Sequence, residues 1–353
     1  MGGLVDKILG FDIGGANTKS VLVQASRDSI AVIRNLSKYF PVWQKSREDL
    51  PALLKSMGEE LTAPPDTPIC ASITAELSDA YASKREGILH VVSSLQQAFP
   101  STPISIFAVD GKFRTPDEIL HNPMLAAAAN WVATGRWIAA RYPNCIFIDV
   151  GSTTVDIIPI LDGKIASQGR TDLTRLLNGE LVYSGVLRAT IPSVSHVVPF
   201  RGARCPVSFE NFATMADVHL ILNHISRDQY TCETADGRDP TRDCSYARLA
   251  RIVCADIEEI TREDVDTFAR FLHKKQVHLI ANALRTIASR LPTHLPFILT
   301  GLGVEILGES ACKKVDQNRR RILLSEALGK QLDIMSSAYA VAWCYWQDAV
   351  NAG

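Results

Sequence analysis

Two aspartates occupy the same place in two copies of one pattern. Asp12 precedes Gly14 and Gly15 in FDIGGANTK (11–19), and Asp149 precedes Gly151 in DVGSTTVD (149–156). Glycine lacks a Cβ and accepts positive φ, so such a turn lets backbone N–H groups approach an anion closely. An aspartate carboxylate is a hard oxygen donor that suits Mg2+, directly or through water. Asn17, Thr18 and Lys19 add donors and a positive charge to the first motif, and Ser152, Thr153 and Thr154 add hydroxyls to the second. Strand, carboxylate, glycine turn and donors together make a seat for a diphosphate with its metal. Read singly, FDIGGANTK is equally an ordinary hairpin with a GG turn. Its repetition a domain's length later points to two related halves that face each other across a cleft. A third glycine turn, Thr300-Gly301-Leu302-Gly303, follows a short apolar run and suits the back wall of the same site.

The elements that must position these residues follow from periodicity. Ile8–Asp12, Lys19–Gln24 and Ile30–Leu36 read as strands separated by turn residues. A helix is expected over Leu50–Leu61 with Ser46 as its N-cap, and another over Lys84–Phe99. Strands are expected at Ile69–Ile73 and Ile104–Val109. Alternating strands and helices imply an α/β layer. Met124–Arg141 reads as one Ala-rich helix after an Asn-Pro start. Strands then follow at Cys145–Val150, Thr153–Ile160 and Lys164–Gly169, with a hairpin at Asp162-Gly163. Residues 170–204 and 227–245 read as insertions, and a polar loop as long as the second is usually functional. Helices are expected at 211–224, Tyr246–Ile257, Glu263–Arg290 and Ile334–Asp348, with a strand at Phe297–Thr300. The chain divides on this reading into a first unit, 1–123 plus a returning 334–353, and a second, 124–333.

Composition narrows the partners. A net charge of −1 on 353 residues argues against a nucleic-acid partner recognised through a basic face. The apolar segments are too short or too polar to span a bilayer, and no secretory signal is read at the start. Eight cysteines without a CxxC suit free thiols in a reducing cytoplasm. Cys232, Cys244 and Cys254 with His219 and His224 fit no standard zinc spacing. A homodimer is expected only from the general frequency of twofold assemblies.

In order, DIGGANTK, DVGSTTVD and TGLG resemble the two phosphate motifs and the adenosine motif of the actin/Hsp70/sugar-kinase superfamily. That resemblance implies two ribonuclease-H-like domains with the ligand cleft between them. A narrower resemblance covers nearly the whole chain. FDIGGANTK, TAELSDAY (74–81), AANW (128–131), DVGSTTVDIIPI (149–160), GRTDLTRLLNGELVYSGVLRAT (169–190), TADGRDPTRDCSYARLARIVCAD (234–256) and LTGLG (299–303) resemble the hydantoinase/oxoprolinase-related family of tetrahydromethanopterin-linked one-carbon metabolism. Its archaeal members act in methanofuran biosynthesis. The resemblance implies a transferase that joins an aminomethyl-furanmethanol diphosphate to the phenol of γ-glutamyltyramine, or of a tyramine or tyrosine relative. An aryl ether forms and pyrophosphate leaves.

On that chemistry Asp12 and Asp149 would hold Mg2+. Gly14, Gly15, Asn17, Thr18, Lys19, Gly151, Ser152, Thr153, Thr154, Gly301 and Gly303 would bind the diphosphate. Arg170, Arg175 and Arg188 would grip the diphosphate or a substrate carboxylate bidentately, or serve as structural ion pairs. Ionising a phenol of pKa about 10 at pH 7 costs about 4 kcal/mol, so a positioned base should help. Glu76, at the end of a strand facing the cleft, is the first candidate, Asp172 the second and Asp79 the third. Lys19 joins the catalytic groups by neutralising the leaving phosphate. Asp156 either touches metal or bonds within its hairpin. Asp236 and Arg238 belong to a lid or to a plain surface loop, and Tyr183 and Trp131 read as core. The alternative function is an ATP-dependent small-molecule kinase or ATPase of the same superfamily. A third is a nucleotide-dependent scaffold, against which the polar stretches 170–204 and 227–245 suggest substrate enclosure. Asp12→Asn is expected to abolish turnover while circular dichroism shows an intact fold; near-normal turnover would reduce the first motif to a structural turn.

Overall fold

The computed structural model describes residues 6–328 and 336–352. Residues 1–5, 334, 335 and 353 of the expected first unit and 329–333 of the expected second lie outside the described residues. The first sheet is built from β1 (Lys7–Gly14), β2 (Asn17–Ala25), β3 (Ile30–Tyr39), β4 (Ile69–Thr74), β5 (Ile104–Phe107) and β6 (Phe113–Arg114). Its order is β3-β2-β1-β4-β5-β6. The first three strands run antiparallel, and β4 and β5 are parallel to β1.

The second sheet repeats this plan. It contains β7 (Cys145–Val150), β8 (Val155–Leu161), β9 (Lys164–Ile165) and β10 (Leu181–Val182). A small separate hairpin follows, β11 (Val197–Phe200) with β12 (Ala203–Pro206), and then β13 (Phe297–Thr300) and β14 (Arg321–Leu323) complete the sheet. The order β10-β8-β7-β13-β14 has β7, β8 and β10 antiparallel, with β13 and β14 parallel to β7. Both sheets therefore have the ribonuclease-H-like order, and the pair has the actin/Hsp70/sugar-kinase architecture. Strand β9 is a short appendage on β8, closed by a turn whose Asp162 and Gly163 both take positive φ, as a tight hairpin requires.

Two helices fill the space between the sheets. The C-terminal helix, Ser336–Ala352, lies on β1, β2 and β4, and Asn130–Arg141 lies on β8 and β9; the two helices also pack on each other. One core joins Ile8, Val21 and Val23 of the first sheet with Phe147, Ile158 and Ile298 of the second through Trp131, Trp137, Ala338 and Val341. The outer face of the first sheet is covered by helices Asp49–Glu60 and Lys84–Ala98. Helix Arg262–Ala288 covers the second sheet with one half and a satellite core with the other.

Several expected boundaries move for identifiable reasons. The helix read over Met124–Arg141 breaks in two. Pro123–Ala126 is a single 3-10 turn, Ala128 takes φ +48, and the α-helix begins only at Asn130. Ser46 does not cap the next helix; its backbone N–H instead donates to Asp49. The stretch 211–224 is helical only over Met215–Ile221, and the helix expected at Tyr246 starts at Arg242, capped by Thr241. Residues 170–204 are not wholly irregular: β10 forms the edge of the second sheet.

Gly10 in β1 shows how tightly the terminal helix sits. A Cβ there would lie 2.7 Å from the backbone oxygen of Ala338 and 3.0 Å from the Ala342 Cβ. Backbone cannot yield as a flexible side chain does. Gly10→Ala is expected to lower the urea midpoint with an unchanged slope, a loss of roughly 1–3 kcal/mol; an unchanged midpoint would mean the helix is not seated this closely.

Candidate active site

A cleft of about 650 Å³ lies between the two hairpins. From the first half it is lined by Asp12, Gly14, Gly15, Asn17, Lys19, Trp43, Glu76 and Asp79. The second half contributes Asp149, Gly151, Ser152, Thr153, Thr154, Asp156, Asp172, Arg175, Tyr183 and Arg188, and Asn130 and Ser337 come from the intervening helices.

Register explains the first carboxylate. Asp12 pairs with Lys19 across β1–β2 and with Ser72 across β1–β4, so all three share a face. The Ser72 hydroxyl donates to Asp12 Oδ1 at 2.9 Å, and the Ser337 hydroxyl donates to Oδ2 at 2.5 Å. Asp12 is only 7% exposed. Each oxygen keeps a further lone pair for a cation. On the other side Asp149 pairs with Asp156 across β7–β8 and with Thr300 of β13. Two like charges opposed on one ladder repel. Arg175 offsets this: its Nη1 lies 2.8 Å from Asp156 Oδ1, its plane stacks 4.3 Å over Trp131, and its Nη2 donates to the Glu180 carbonyl. Arg175 is thus buried in structural bonds while touching the cleft, and Asp156 is its ion-pair partner.

The second glycine turn is braced from behind. Gly185 N–H donates to Thr153 O, Val186 N–H to Gly151 O, and Leu187 N–H to Ser152 O. A Cβ on Gly185 would meet Thr153 N at 2.5 Å. Only glycine allows this approach.

Glu76 is the distinctive group. It is 2% exposed, and its Oε2 is buried with no hydrogen-bond partner. Burial raises its carboxyl from 4.5 to about 7; neighbouring N–H groups and the Lys84 ammonium work against this rise, and the Asp172 carboxylate adds to it. Lys84 Nζ lies 3.0 Å from Asp172 Oδ2 and 3.9 Å from Glu76 Oε1. Gly87 makes the burial possible, because a Cβ there would sit 2.7 Å from Glu76 Cα. A carboxylate that is half protonated near pH 7 and has one free oxygen is suited to general-base work.

The remaining expected residues divide. Thr18 is fully buried, with its hydroxyl turned into the first sheet. Arg170 is exposed and lies outside the described cleft lining. Gly301 and Gly303 do not appear in that lining either. Cβ atoms there would strike Asp149 Oδ1 at 2.5 Å and Val186 Cγ2 at 2.3 Å, so this turn supports the end of β7 from behind. Tyr183, read as core, is 56% exposed at the cleft, whereas Trp131 is core. Asp236 pairs with Arg238, Arg248 and Arg251 beneath its loop, outside the lining. The loop reaches the cleft instead through Glu233, which accepts from the Tyr39 hydroxyl at 3.2 Å. Arg188 stacks 4.5 Å over Trp43. Sequence reading missed Trp43, Lys84, Asn130, Gly185 and Ser337. Lys84, eight residues after Glu76 at a helix start, and Gly185, inside VYSGVLR, left traces; Ser337 left none.

A model of the hydantoinase/oxoprolinase family matches residues 69–343. The chain belongs to that family. Similar proteins in the family include the (4-{4-[2-(gamma-L-glutamylamino)ethyl]phenoxymethyl}furan-2-yl)methanamine synthase of Methanocaldococcus jannaschii, 37% identical over 336 residues, which are 95% of this chain and 96% of that protein. The protein of the same name from Methanococcus vannielii is 34% identical over 200 residues, 56% of this chain and 89% of that protein. Among solved structures, nucleotide-free acetone carboxylase aligns with TM-score 0.55 at 12% identity, covering 95% of this chain and 70% of that one. The PilM–PilN type IV pilus biogenesis complex aligns with TM-score 0.50 at 11% identity, covering 99% of each chain. At such identities these two speak for the fold alone. Among the described residues, no helix is long and apolar enough to cross a membrane.

The charges around Glu76 set a signed expectation. Activity that needs ionised Glu76 rises as pH increases through about 7. Lys84→Met removes a cation that lowers this pKa and shifts the limb upward; Asp172→Asn removes an anion that raises it and shifts the limb downward. Stability moves the other way. A carboxyl raised on folding binds more protons in the folded state, so stability falls as pH rises from 4.5 to about 7. Glu76→Gln is expected to relieve a penalty of up to roughly 3 kcal/mol at pH 8 and little at pH 4. Urea unfolding at both pH values, with kcat/KM profiles of the two charge variants, checks this; equal effects at both pH values would remove Glu76 as the titrating group.

Proposed function

We propose that this chain is an ether-forming transferase of methanofuran-type biosynthesis. It joins the methylene of an aminomethyl-furanmethanol diphosphate to the phenol oxygen of γ-glutamyltyramine or a close phenolic amine. The observation that carries the reading is the presence of Glu76, a buried base tuned to about 7, in one cleft with two Asp–Gly turns. The name shared by the two relatives describes a product with a phenol oxygen bonded to a furanyl methylene. That bond requires a phenol proton to be taken and a leaving group to depart, and the cleft offers a means for each.

Glu76 Oε2 accepts the phenolic proton as the oxygen attacks the methylene. The C–O bond to the diphosphate breaks, and its electron pair leaves with pyrophosphate. Backbone N–H groups of Gly14, Gly15 and Ser152, with the hydroxyls of Thr153 and Thr154, hold the phosphate oxygens, while the Gly151 N–H donates to the Thr154 carbonyl and shapes the turn. Lys19 and Arg188 add positive charge where negative charge develops. Asn17 adds a donor at the same turn. Arg175 holds Asp156 in place rather than gripping phosphate. Asp172 acts through Lys84 on the strength of Glu76. Trp43 and Tyr183 give the furan and phenol rings apolar surface. A Cβ on Gly15 would meet nothing closer than 3.7 Å, and Asp12 and Asp149 are hard oxygen donors at the two turns, so the residues fit a Mg2+-bound diphosphate. When bound, the ion supplies charge neutralisation for the departing group.

A kinase or ATPase is the less favoured reading, because both similar proteins carry the name of the ether-product synthase. Purified protein with Mg2+, the furanmethyl diphosphate and γ-glutamyltyramine is expected to yield the ether by mass spectrometry and one pyrophosphate per ether. Glu76→Gln should lower kcat by about 10²–10⁴-fold. Acceptor-stimulated ADP release from ATP without ether would overturn the proposal.

A further inference from the structure

A second cluster of chemistry-bearing side chains lies outside the cleft. His219 sits in helix Met215–Ile221, His224 in the turn after it, and His273 in the long helix Arg262–Ala288. One ring nitrogen from each lies within 4.8 Å of the others. His219 is fully buried and the other two are half-buried. Among the described residues no cysteine or carboxylate joins the group, so the grouping drawn from sequence with Cys232, Cys244 and Cys254 does not form.

The hydrogen bonds decide where the lone pairs point. The Gln276 amide nitrogen donates to the Gly185 carbonyl at 2.8 Å and to Ser184 Oγ at 3.2 Å. Its oxygen therefore faces His219 Nε2, 2.9 Å away, and can only accept. His219 Nε2 carries the proton, and its Nδ1 presents a bare lone pair to the cluster. His224 Nδ1 lies 3.1 Å from that atom. His273 Nδ1 is buried with no hydrogen-bond partner. Burial holds His219 down to about 3 and His273 down to about 4, and it lowers His224, so all three rings are neutral at physiological pH.

We propose that His219, His224 and His273 form a second metal site, for a borderline divalent transition ion of the zinc class. Neutral imidazoles suit Zn2+, Co2+ or Ni2+ and do not suit Mg2+ or Ca2+. Tetrahedral zinc holds its nitrogens roughly 3.3 Å apart. The His219–His224 pair is already at that spacing, and a small inward turn of His273 completes three ligands, with solvent in the fourth position. Gln276 plays the outer partner that fixes a ligating histidine's tautomer. The same glutamine holds Gly185, whose N–H binds Thr153 O. The ion thus pins helix Met215–Ile221 to helix Arg262–Ala288 and braces the backbone behind the second glycine turn. The binding itself does not depend on the proposed chemistry of the cleft.

Chelator-treated protein titrated with Co2+ tests this in the presence of excess Mg2+. Wild type is expected to bind one equivalent and develop the intense visible band of a four-coordinate nitrogen site, which Zn2+ then displaces. His224→Ala and His273→Ala, with folding checked by circular dichroism, should lose the band. Asp12→Asn should keep it, which separates the site from the cleft. No stoichiometric cobalt uptake by wild type, a pale six-coordinate spectrum, or an undiminished band in folded His273→Ala would overturn the proposal. Should both variants fail to fold, the wild-type spectrum alone decides it.

Discussion

The close seating of the C-terminal helix on β1 is the constraint on which the rest of the structure depends. Gly10, Ala338 and Ala342 are small where they meet, so helix and strand approach to backbone contact. That contact brings Ser337 to Asp12 from more than three hundred residues away in sequence. The same helix packs against Asn130–Arg141, with Trp137 edge-on to Tyr339 at 5.3 Å, and that second helix lies on the other sheet. The spacing of the two hairpins, and so the width of the cleft, is set by this two-helix wedge. A shared apolar core makes the wedge stiff, because packed interiors yield little.

Electrostatics in the cleft follow from what the wedge brings together. Seven carboxylates line it among the described residues: Asp12, Glu76, Asp79, Asp149, Asp156, Asp172 and Glu233. Hydroxyls hold the first, Arg175 offsets Asp156, and Lys84 is shared between Asp172 and Glu76. Only Glu76 combines deep burial, an unpartnered oxygen and a pKa pushed to about 7. Its difference from its neighbours is produced by Gly87, which lets a helix close over it. Environment, not residue type, assigns the roles.

The parts of the fold legible in sequence were those written locally. Two hairpins with Asp before glycine, and strands of apolar period, lead directly to the sheets. The hydrogen-bond ladder then fixes that Lys19 and Ser72 stand beside Asp12. What was illegible depended on long-range closure. Ser337 and Trp43 reach the cleft through tertiary packing alone, and Tyr183 looks like core until its loop is seen to lie at the rim. The break before Asn130 escaped because Ala128 has no compositional signature of positive φ. Gly301 and Gly303 show the converse: a motif can be correctly placed after a strand yet serve the scaffold behind a site rather than its surface. Histidines 219, 224 and 273 come together because one long helix returns past a short one, which spacing along the chain does not express.

Among the described residues, three side-chain contacts cross the cleft: Tyr39 to Glu233, Trp43 to Arg188, and Lys84 to Asp172. Each lies at a partly exposed rim and is worth at most about 1 kcal/mol. Among the described residues, side-chain closure of the rim rests on these weak contacts alone. How long a molecule stays inside is governed by that molecule's own grip on the walls. Under the proposed chemistry the ether has given up its anionic anchor and slips away first. The pyrophosphate, held at both glycine turns under that proposal, would leave after it.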